Sequence, residues 1–353
     1  MRASLLLVFI AAFAMTASAQ DALQWSGFAL LRASNAASGV PLDDDTVAGQ
    51  IQLGIDWRPS VFLGGHVHLI ARSDEDGSRR GHVGIAEAYL EQNLHRGSSK
   101  LRIVEGAFFL PTSRENIDAL WESPYTITPS ALNSWLGEEF RPIGIDAAYT
   151  VRRAWTVGAT VFRGNDTFGA LPAARGWMMR DHWALLGEHL PVDGEYYTSV
   201  SAENDGRLGW AARARWNNDH ASLQLTHIDN RADALEYGEL FNWETPFDIV
   251  GADYTWNDWT VAAESGWGHT IIRFPPNAFT TNLVANYLLV SRRFSNGRVT
   301  VRGDAFQSGS NHTHAVTVAY FYSPRGKLRT GIELISVGGD RKVSLEVRYN
   351  FAR

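Results

Sequence analysis

The chain has 353 residues and a formal net charge of −6, from 32 lysines and arginines against 38 aspartates and glutamates. Because nucleic-acid binding relies on neutralising phosphates, this mildly acidic balance disfavours a nucleic-acid partner. The absence of cysteine excludes disulfide frameworks, thiolate zinc sites and cysteine nucleophiles, and the 32 glycines and 13 tryptophans indicate many turns and interfacial aromatic residues rather than a helical enzyme.

The first nineteen residues have the features of a cleaved export signal. Arg2 provides a basic start, residues 5–15 form an apolar stretch, and Ala17-Ser18-Ala19 supplies small residues for cleavage. The apolar stretch is too short to span a bilayer, and no later run of about eighteen apolar residues follows it. We therefore expect residues 1–19 to be removed and residues 20–353 to form a single exported domain without a transmembrane helix.

From residue 22 onward, apolar and polar residues alternate in segments of about ten residues. The alternation is clearest at the end of the chain, where every second residue from Val343 to Phe351 is apolar or aromatic. This period of two places one face of a strand in an apolar medium and the other in water. The predicted strands are residues 22–33, 48–57, 61–72, 81–94, 98–109, 139–151, 154–165, 205–216, 219–230, 247–256, 259–268, 281–293, 297–307, 312–322, 326–336 and 341–351.

The connections between these segments alternate in length. Every second connection, from residues 58–60 to residues 323–326, is short and rich in Gly, Pro, Asn and Asp, which favours hairpin turns. The others are longer, notably residues 110–138 and 166–204. A short-turn end that carries both termini, opposite a long-loop end, is typical of an outer-membrane barrel. We therefore predict an all-β fold: a transmembrane antiparallel β-barrel of about sixteen strands.

Aromatic residues flank the short turns. In a barrel they would form a ring at the membrane–water boundary, where amphipathic rings are favoured. A soluble core, in contrast, has no need of aromatic residues at strand ends. The predicted aromatic girdle consists of Trp57, Trp155, Trp216, Trp256, Trp259, Tyr349 and Phe351.

Many segments carry charged residues in mid-strand on their polar face. Against hydrocarbon each charge would cost about 2–4 kcal/mol, whereas a hydrated interior accommodates it at little cost. The number of charges indicates a wide, wet interior, and their mixed signs argue against strong ion selectivity. The predicted pore-lining wall residues are Arg213, Arg215, Glu264, Arg302, Asp304, Arg329, Glu333, Glu346 and Arg348.

The connection formed by residues 110–138 is the strongest candidate for a functional loop, because it is too long for a plain connection. Ser113 can cap a helix over residues 114–121, and a second helix can begin at Thr128-Pro129 and continue to residue 136. If the loop folds inward it forms a constriction, although a helical loop on the surface fits the sequence equally well. The candidate constriction residues are Arg114, Glu115, Asp118 and Glu122.

The second long connection, residues 166–204, contains a helical pattern over residues 177–186. It could form a lid or an outward-facing binding surface. Two alternating histidine pairs, His66/His68 and His312/His314, could begin a metal site, but the sequence places no third ligand beside either. We therefore expect no metal and no cofactor. Since no G-x-S-x-G nucleophile motif is present, we also expect no enzymatic activity.

Taken as a whole, the mature sequence resembles a Gram-negative outer-membrane porin. The segment from Val343 to Phe351 resembles the terminal β-signal of outer-membrane proteins, although Ala352-Arg353 follows the aromatic end. The stretch Gly106 to Pro111, with Glu115 after it, loosely resembles a strand-to-loop segment of phosphate-selective porins. Those porins line the pore with basic residues, whereas Arg114 here stands among acidic ones, so phosphate selectivity is not implied.

The resemblance implies a water-filled channel in the outer membrane for passive diffusion of small hydrophilic solutes or ions. It also implies outer-membrane lipid as the surroundings and a homotrimer as the assembly, for which Gly27, Ala29 and Gly65 offer small outward residues. Within the same fold, the alternative is a substrate-specific channel with residues 166–204 at its mouth. A barrel enzyme or a surface-binding protein is the alternative from another class.

Overall fold

The computed structural model describes residues 22–35, 42, 47–73, 82–193, 196–323 and 326–352. The predicted export signal, residues 1–19, lies outside these ranges. Within them, no helix combines the length and the apolar character needed to cross a membrane.

Strands dominate the described residues, and two short α-helices and one 3-10 turn lie in the connections. The helices are α1 (Ala131–Glu139) and α2 (Ala170–Ala174), and the 3-10 turn is Ala119–Trp121. The strands are β1 (Leu23–Ser34), β2 (Val47–Trp57), β3 (Leu63–Arg72), β4 (Val83–Arg96), β5 (Ser99–Ala107), β6 (Ile143–Val151), β7 (Trp155–Arg163), β8 (His189–Asp193), β9 (Tyr196–Ser199), β10 (Gly209–Asn217), β11 (Ala221–Asp229), β12 (Glu236–Tyr237), β13 (Leu240–Phe241), β14 (Pro246–Trp256), β15 (Trp259–Phe274), β16 (Asn277–Arg293), β17 (Gly297–Ser308), β18 (Asn311–Tyr322), β19 (Leu328–Val337) and β20 (Asp340–Ala352).

Sixteen of these strands close into one antiparallel barrel, which confirms the predicted fold. Each wall strand pairs with its neighbours in sequence, and β20 closes onto β1, with Phe351 opposite Gly27. The remaining strands, β8, β9, β12 and β13, form a separate small sheet in the long-loop connections. All sixteen predicted segments correspond to wall strands, because the period-two alternation reports directly on a sheet with an apolar and a polar face.

The two faces of the wall differ as the alternation predicts, and β20 shows this most clearly. The side chains of Leu345, Val347 and Tyr349 point outward and are at least 50% exposed, whereas Glu346 and Arg348 point inward and are buried. A continuous outer band of exposed apolar side chains is unstable in water. The outer face therefore requires an apolar surrounding.

The wall is uneven in height. Strands β5, β6, β7, β10 and β11 have nine residues each, whereas β15 and β16 have 16 and 17. The sequence predicted β15 to end at residue 268 and β16 to begin at 281, so the hairpin is taller than expected. The part of this hairpin nearest the long-loop end packs on the small sheet, where the Phe241 and Phe274 rings lie 5.4 Å apart. Because this part extends beyond the barrel wall, its apolar and polar residues do not alternate as they do within the wall.

The predicted helix over residues 114–121 is wrong. Ser113 Oγ accepts the backbone N–H groups of Glu115 and Asn116, as a cap would, but no α-helix follows. The side chains of residues 114 and 115 bond to the barrel wall instead, and this holds the backbone out of a helix. The predicted helix over 129–136 exists with shifted ends as α1, because Ser130 is the residue that caps it.

The helix predicted over residues 177–186 is also wrong. That segment is irregular, and α2 lies earlier, over Ala170–Ala174. Trp177, Met179 and Trp183 are all buried. Their packing in the barrel interior, rather than local helical propensity, sets the conformation of the segment.

Closure of the barrel yields a test of the terminal strand. Deletion of Tyr349–Arg353 removes the pairs of Tyr349 with Ala29 and of Phe351 with Gly27, so β1 loses its partner over the short-turn half of the seam. We expect loss of the folded species that resists SDS until heated, measured by gel migration of membrane fractions. Phe351→Tyr, which keeps a ring at this position, should fold normally. Normal folding of the deletion would contradict this account of closure.

Candidate functional site: the barrel interior

The connection between β5 and β6, residues 108–142, enters the barrel and is here called the inner loop. All nine residues of α1 within it are buried. Arg114 and Glu115, two of the candidate constriction residues, are buried as well. A loop with this much burial, anchored to the inner wall, lies inside the barrel and not on its surface.

The ion pair between Arg302 of β17 and Glu115 is the most deeply buried link between the wall and the inner loop, since neither side chain has any exposed area. Arg302 also pairs with Asp304 at 2.8 Å and donates to the carbonyl oxygens of Thr128 and Pro129 at 2.9 and 3.2 Å. One guanidinium thus serves two carboxylates and two loop carbonyls. Its planar fork of donors suits this role, which a lysine could not fill.

Glu333 of β19 binds the inner loop at Ile127 and Thr128, next to the carbonyl groups that Arg302 contacts. Its carboxylate accepts the backbone N–H groups of Ile127 and Thr128 at 2.7 and 3.0 Å. Backbone donors that enter an interior need partners there, because a buried unpaired N–H is costly. The wall carboxylate therefore replaces the water that a surface loop would bind.

Glu122 connects three parts of the structure. Its carboxylate accepts from Arg348 of β20 at 2.8 Å, from Gln52 of β2 at 3.1 Å and from the indole N–H of Trp183 at 3.1 Å. Trp183 belongs to the second long connection, residues 164–208, which is here called the outer loop. Glu122 thus joins the wall, the inner loop and the outer loop at one point.

The opposite side of the inner loop is also bound to the wall. Arg114 donates to Ser222 and Gln224 of β11 at 3.1 and 2.9 Å, and Asn133 of α1 donates to Glu264 of β15 at 2.7 Å. Wall strands around the barrel, from β2 through β11 to β20, therefore hold the loop.

Asp118 differs from the other candidate constriction residues. Its side chain is exposed, and it lies toward the short-turn end of the interior, beside turn residues of β16–β17 and β18–β19. Its backbone N–H donates to the carbonyl of Glu122 at 3.0 Å, closing a narrow turn around residues 119–121. The structure therefore separates Asp118 from Arg114, whereas the predicted helix over residues 114–121 would place these two residues, four positions apart, on one face.

The predicted wall residues all belong to the inward face. Most are buried by contacts with the loops or with one another, whereas Arg215 is exposed and Arg329 is half-buried. Glu346 pairs with both Arg32 and Arg329 at 2.8 Å, and Arg213 pairs with Asp146. Several charges of the inner wall are thus neutralised by partners on other strands of the wall.

The outer loop covers the inner loop from the long-loop end. The ring of Trp135 in α1 stacks on Phe168 with centroids 4.5 Å apart, and Arg180 N–H donates to Ser134 Oγ at 3.1 Å. No local sequence pattern indicates this contact beyond the apolar character of the loop. Neither of these long connections packs as an independent unit.

Glu139, the last residue of α1, ties the two loops together. Its carboxylate accepts the Trp135 indole N–H at 2.6 Å and the backbone N–H groups of Gly169 and Leu171, at the start of α2, at 3.1 Å. Burial raises the pKa of the Glu139 carboxyl to about 7, although these hydrogen bonds oppose the rise. The contact between the loops is therefore sensitive to protonation near neutral pH.

The predicted girdle residues lie on the outer face at the short-turn ends of their strands. Trp155 and Trp216 are paired across β7 and β10 with rings 6.4 Å apart, and Trp256 is paired with Trp259 across the β14–β15 turn. The ring of Phe351 lies 5.7 Å from that of Trp25. Sequence reasoning missed Trp25 and also missed Trp210 and Trp267, which are exposed on the outer face nearer the long-loop end.

The two histidine pairs and one cluster of carboxylates carry side chains of metal-ligand type. His66 and His68 point inward and bond to Asp56 and Gln52, respectively, whereas His312 and His314 lie on the exposed outer face. A carboxylate group in the long-loop connections, Asp166, Glu203 and Asp205, has oxygens within 4.8 Å of one another. These carboxylates accept backbone N–H groups of the long-loop connections, which accounts for their position without a ligand.

Comparison with known proteins gives matches in structure but not in sequence. No family model matches the chain, and no curated protein matches it. The fold is similar to that of OmpT, an outer-membrane protein of Vibrio cholerae, with a TM-score of 0.60 at 8% identity over 93% of this chain and 97% of that one. Salmonella typhi OmpF gives 0.59 at 13% identity over 93% and 97%, and a mutant of Rh. blastica porin gives 0.51 at 13% over 93% and 100%. At such identities the likeness shows a shared fold, the barrel of outer-membrane porins.

The Arg302 contact predicts a large loss of stability in Arg302→Met. The substitution leaves Glu115 and Asp304 buried without their cation, which costs about 3–5 kcal/mol. We expect urea unfolding, followed by tryptophan fluorescence, to show this decrease in unfolding free energy. Arg163→Met breaks an exposed pair with Glu203 and should cost less than about 1 kcal/mol. Equal effects of the two variants would contradict the proposed role of Arg302.

The pKa of Glu139 predicts a pH dependence of stability. Between its ordinary value of 4.5 and about 7, the folded protein holds a proton that the unfolded chain releases. The contribution of Glu139 to the unfolding free energy should therefore fall as pH rises through this window, by up to about 3 kcal/mol, and stay lower above it. Relative to the parent protein, Glu139→Gln should lose less unfolding free energy between pH 5 and 8, and Glu236→Gln, at an exposed position, should behave like the parent. Unfolding curves at pH 5 and 8 test this, and parallel behaviour of all three proteins would refute it.

Proposed function

We propose that the protein forms a channel in the outer membrane of a Gram-negative bacterium, through which small hydrophilic solutes or ions diffuse passively. The observation that carries the proposal is the inner loop itself, which folds inside a sixteen-stranded barrel and meets a charged inner wall. A barrel of this width can enclose an aqueous path. A loop held inside it restricts that path, and the charges beside the loop act on whatever passes.

The outer face supports the membrane location. Most of its exposed side chains within the wall are apolar, and tryptophans lie at the short-turn ends, as expected for strands that cross a bilayer between two interfaces. A closed barrel satisfies all wall backbone groups internally, which hydrocarbon surroundings require. Outer-membrane lipid is the surrounding we propose.

The packing of the interior favours the substrate-specific form of this channel over wide, unselective diffusion. Glu264, Arg302 and Glu333 are all nearly fully buried by the inner loop. Such contacts narrow the path to the space beside the loop or require part of the loop to move. We propose transport rather than catalysis as the function, because the buried charges of the interior are used to hold loops in place.

We propose a homotrimer as the assembly, and OmpT of Vibrio cholerae has been described in a trimer form. Among the small outward residues, Gly27 also has a role within its own barrel. A Cβ there would lie 2.1 Å from the Gln52 carbonyl oxygen and 2.8 Å from the Phe351 ring. The trimer argument therefore rests on Ala29 and Gly65. Light scattering of the detergent-solubilised protein should give the mass of three chains, and the mass of one chain would refute the trimer.

Planar-bilayer recordings test the channel directly, with Glu122→Gln as the informative variant. The substitution weakens the link to Arg348 and removes a negative charge from the interior, so conductance should rise and the reversal potential in a salt gradient should shift toward anion preference. Glu105→Gln is the matched control, because Glu105 is exposed on the outer face of β5. It should behave like the parent protein.

Two outcomes would contradict the proposal. Silent bilayers from protein that is folded by gel migration would favour a barrel enzyme or a surface-binding protein. If Glu122→Gln conducts like the parent, the inner loop does not lie beside the conducting path.

A further inference from the structure

A cavity of 460 Å³ opens at the short-turn end of the barrel, beneath the inner loop. Turn residues of β16–β17 and β18–β19 form its rim, and Asp118 and Pro124 of the inner loop form its roof. Its volume is within the range of small-molecule sites in proteins. The polar side chains that dominate its lining are Asp118, Arg293, Arg298, Arg329, Arg348 and Asn350.

Aromatic rings hold three of these arginines in place. The guanidinium carbon of Arg298 lies 4.8 Å from the ring centroid of Tyr125, that of Arg329 lies 4.2 Å from Phe321, and that of Arg348 lies 3.5 Å from Phe28. Stacking orients a guanidinium without neutralising it, and leaves its N–H edge available for hydrogen bonds. Arg298, Arg329 and Arg348 are therefore positioned before any ligand arrives.

The charges of the cavity do not balance. Arg329 and Arg348 are paired with Glu346 and Glu122, but within the described part of the chain neither Arg293 nor Arg298 forms an ion pair. Arg298 donates only to Ser291 Oγ, at 3.1 Å, among the side-chain contacts found there. Asp118 is the single carboxylate of the lining. The cavity therefore keeps an excess of positive charge.

We propose that this cavity is a binding site for a small multivalent anion whose carboxylate or phosphate oxygens contact Arg293 and Arg298. The inference rests on the proposed channel and deepens it, since it makes an anionic solute the substrate class and places its site at the short-turn mouth. Guanidinium forks match the paired oxygens of both anion types, and the Asn350 amide adds a donor beside them. Asp118 opposes the anion and limits its affinity, which allows release.

The test is calorimetric titration of the folded protein in detergent at low salt, with citrate and inorganic pyrophosphate as separate probes and glucose as the neutral control. Wild type should bind at least one anion saturably, with an affinity that falls as salt rises. Arg293→Gln with Arg298→Gln should weaken binding at least tenfold. The matched control is Arg152→Gln with Arg153→Gln, which changes two exposed arginines in another turn at the short-turn end of the barrel. It should change affinity less than twofold.

Asp118→Asn should change the anion affinity in the opposite direction, and this separates an effect on the site from damage to the fold. Removal of the only lining carboxylate should tighten anion binding severalfold, which damage to the fold would not do. Absence of saturable binding to wild type overturns the site, as does equal loss in both arginine pairs or weaker binding by Asp118→Asn. Which probe binds distinguishes carboxylate from phosphate solutes. Because binding in detergent requires no conduction, silent bilayers would refute the channel separately.

Discussion

The burial of Arg302 against Glu115 is the interaction on which the interior depends. An inner wall that carries charges must give them water or partners, since an unpaired buried charge is far costlier than a paired one. Here the partners come from the inner loop, whose own carbonyl and N–H groups need wall residues such as Arg302 and Glu333. Loop and wall thus supply each other's hydrogen-bond and ion-pair partners.

This mutual dependence explains why the two ends of the barrel differ. Toward the long-loop end, aromatic packing of Trp135 on Phe168 and the Glu139 hydrogen bonds join both long loops into one body. Toward the short-turn end, the inner loop presents Asp118 to arginines that stand on aromatic rings. Charged side chains of the middle are held by ion pairs or hydrogen bonds, whereas Arg293 and Arg298 at the short-turn mouth form no ion pair within the described residues. The mouth is therefore where a charged solute meets an unbalanced field.

The strands of the wall could be predicted from the sequence because the residue pattern of each strand reflects the medium on its two faces. Alternation from Val343 to Phe351 reflects hydrocarbon on one side and a polar interior on the other, and requires no knowledge of distant residues. The short turns obey equally local rules. The tall hairpin of β15 and β16 departs from the prediction where it leaves the wall, since beyond it neither face meets a uniform medium. The helix predicted over 114–121 is wrong for the related reason that wall contacts of Arg114 and Glu115 outweigh a local cap.

The sequence by itself determined the barrel, its approximate strand number, the ends at which turns and loops lie, and the identity of the inward charges, because a two-residue period is a local property. Tertiary structure alone decided what those charges do. Arg302 lies 187 positions from Glu115, and Arg348 lies 226 from Glu122. Whether such residues face water, a loop or a solute depends on where a long connection comes to rest inside the closed wall. That position is set by many hydrogen bonds between distant segments, to which no local pattern corresponds.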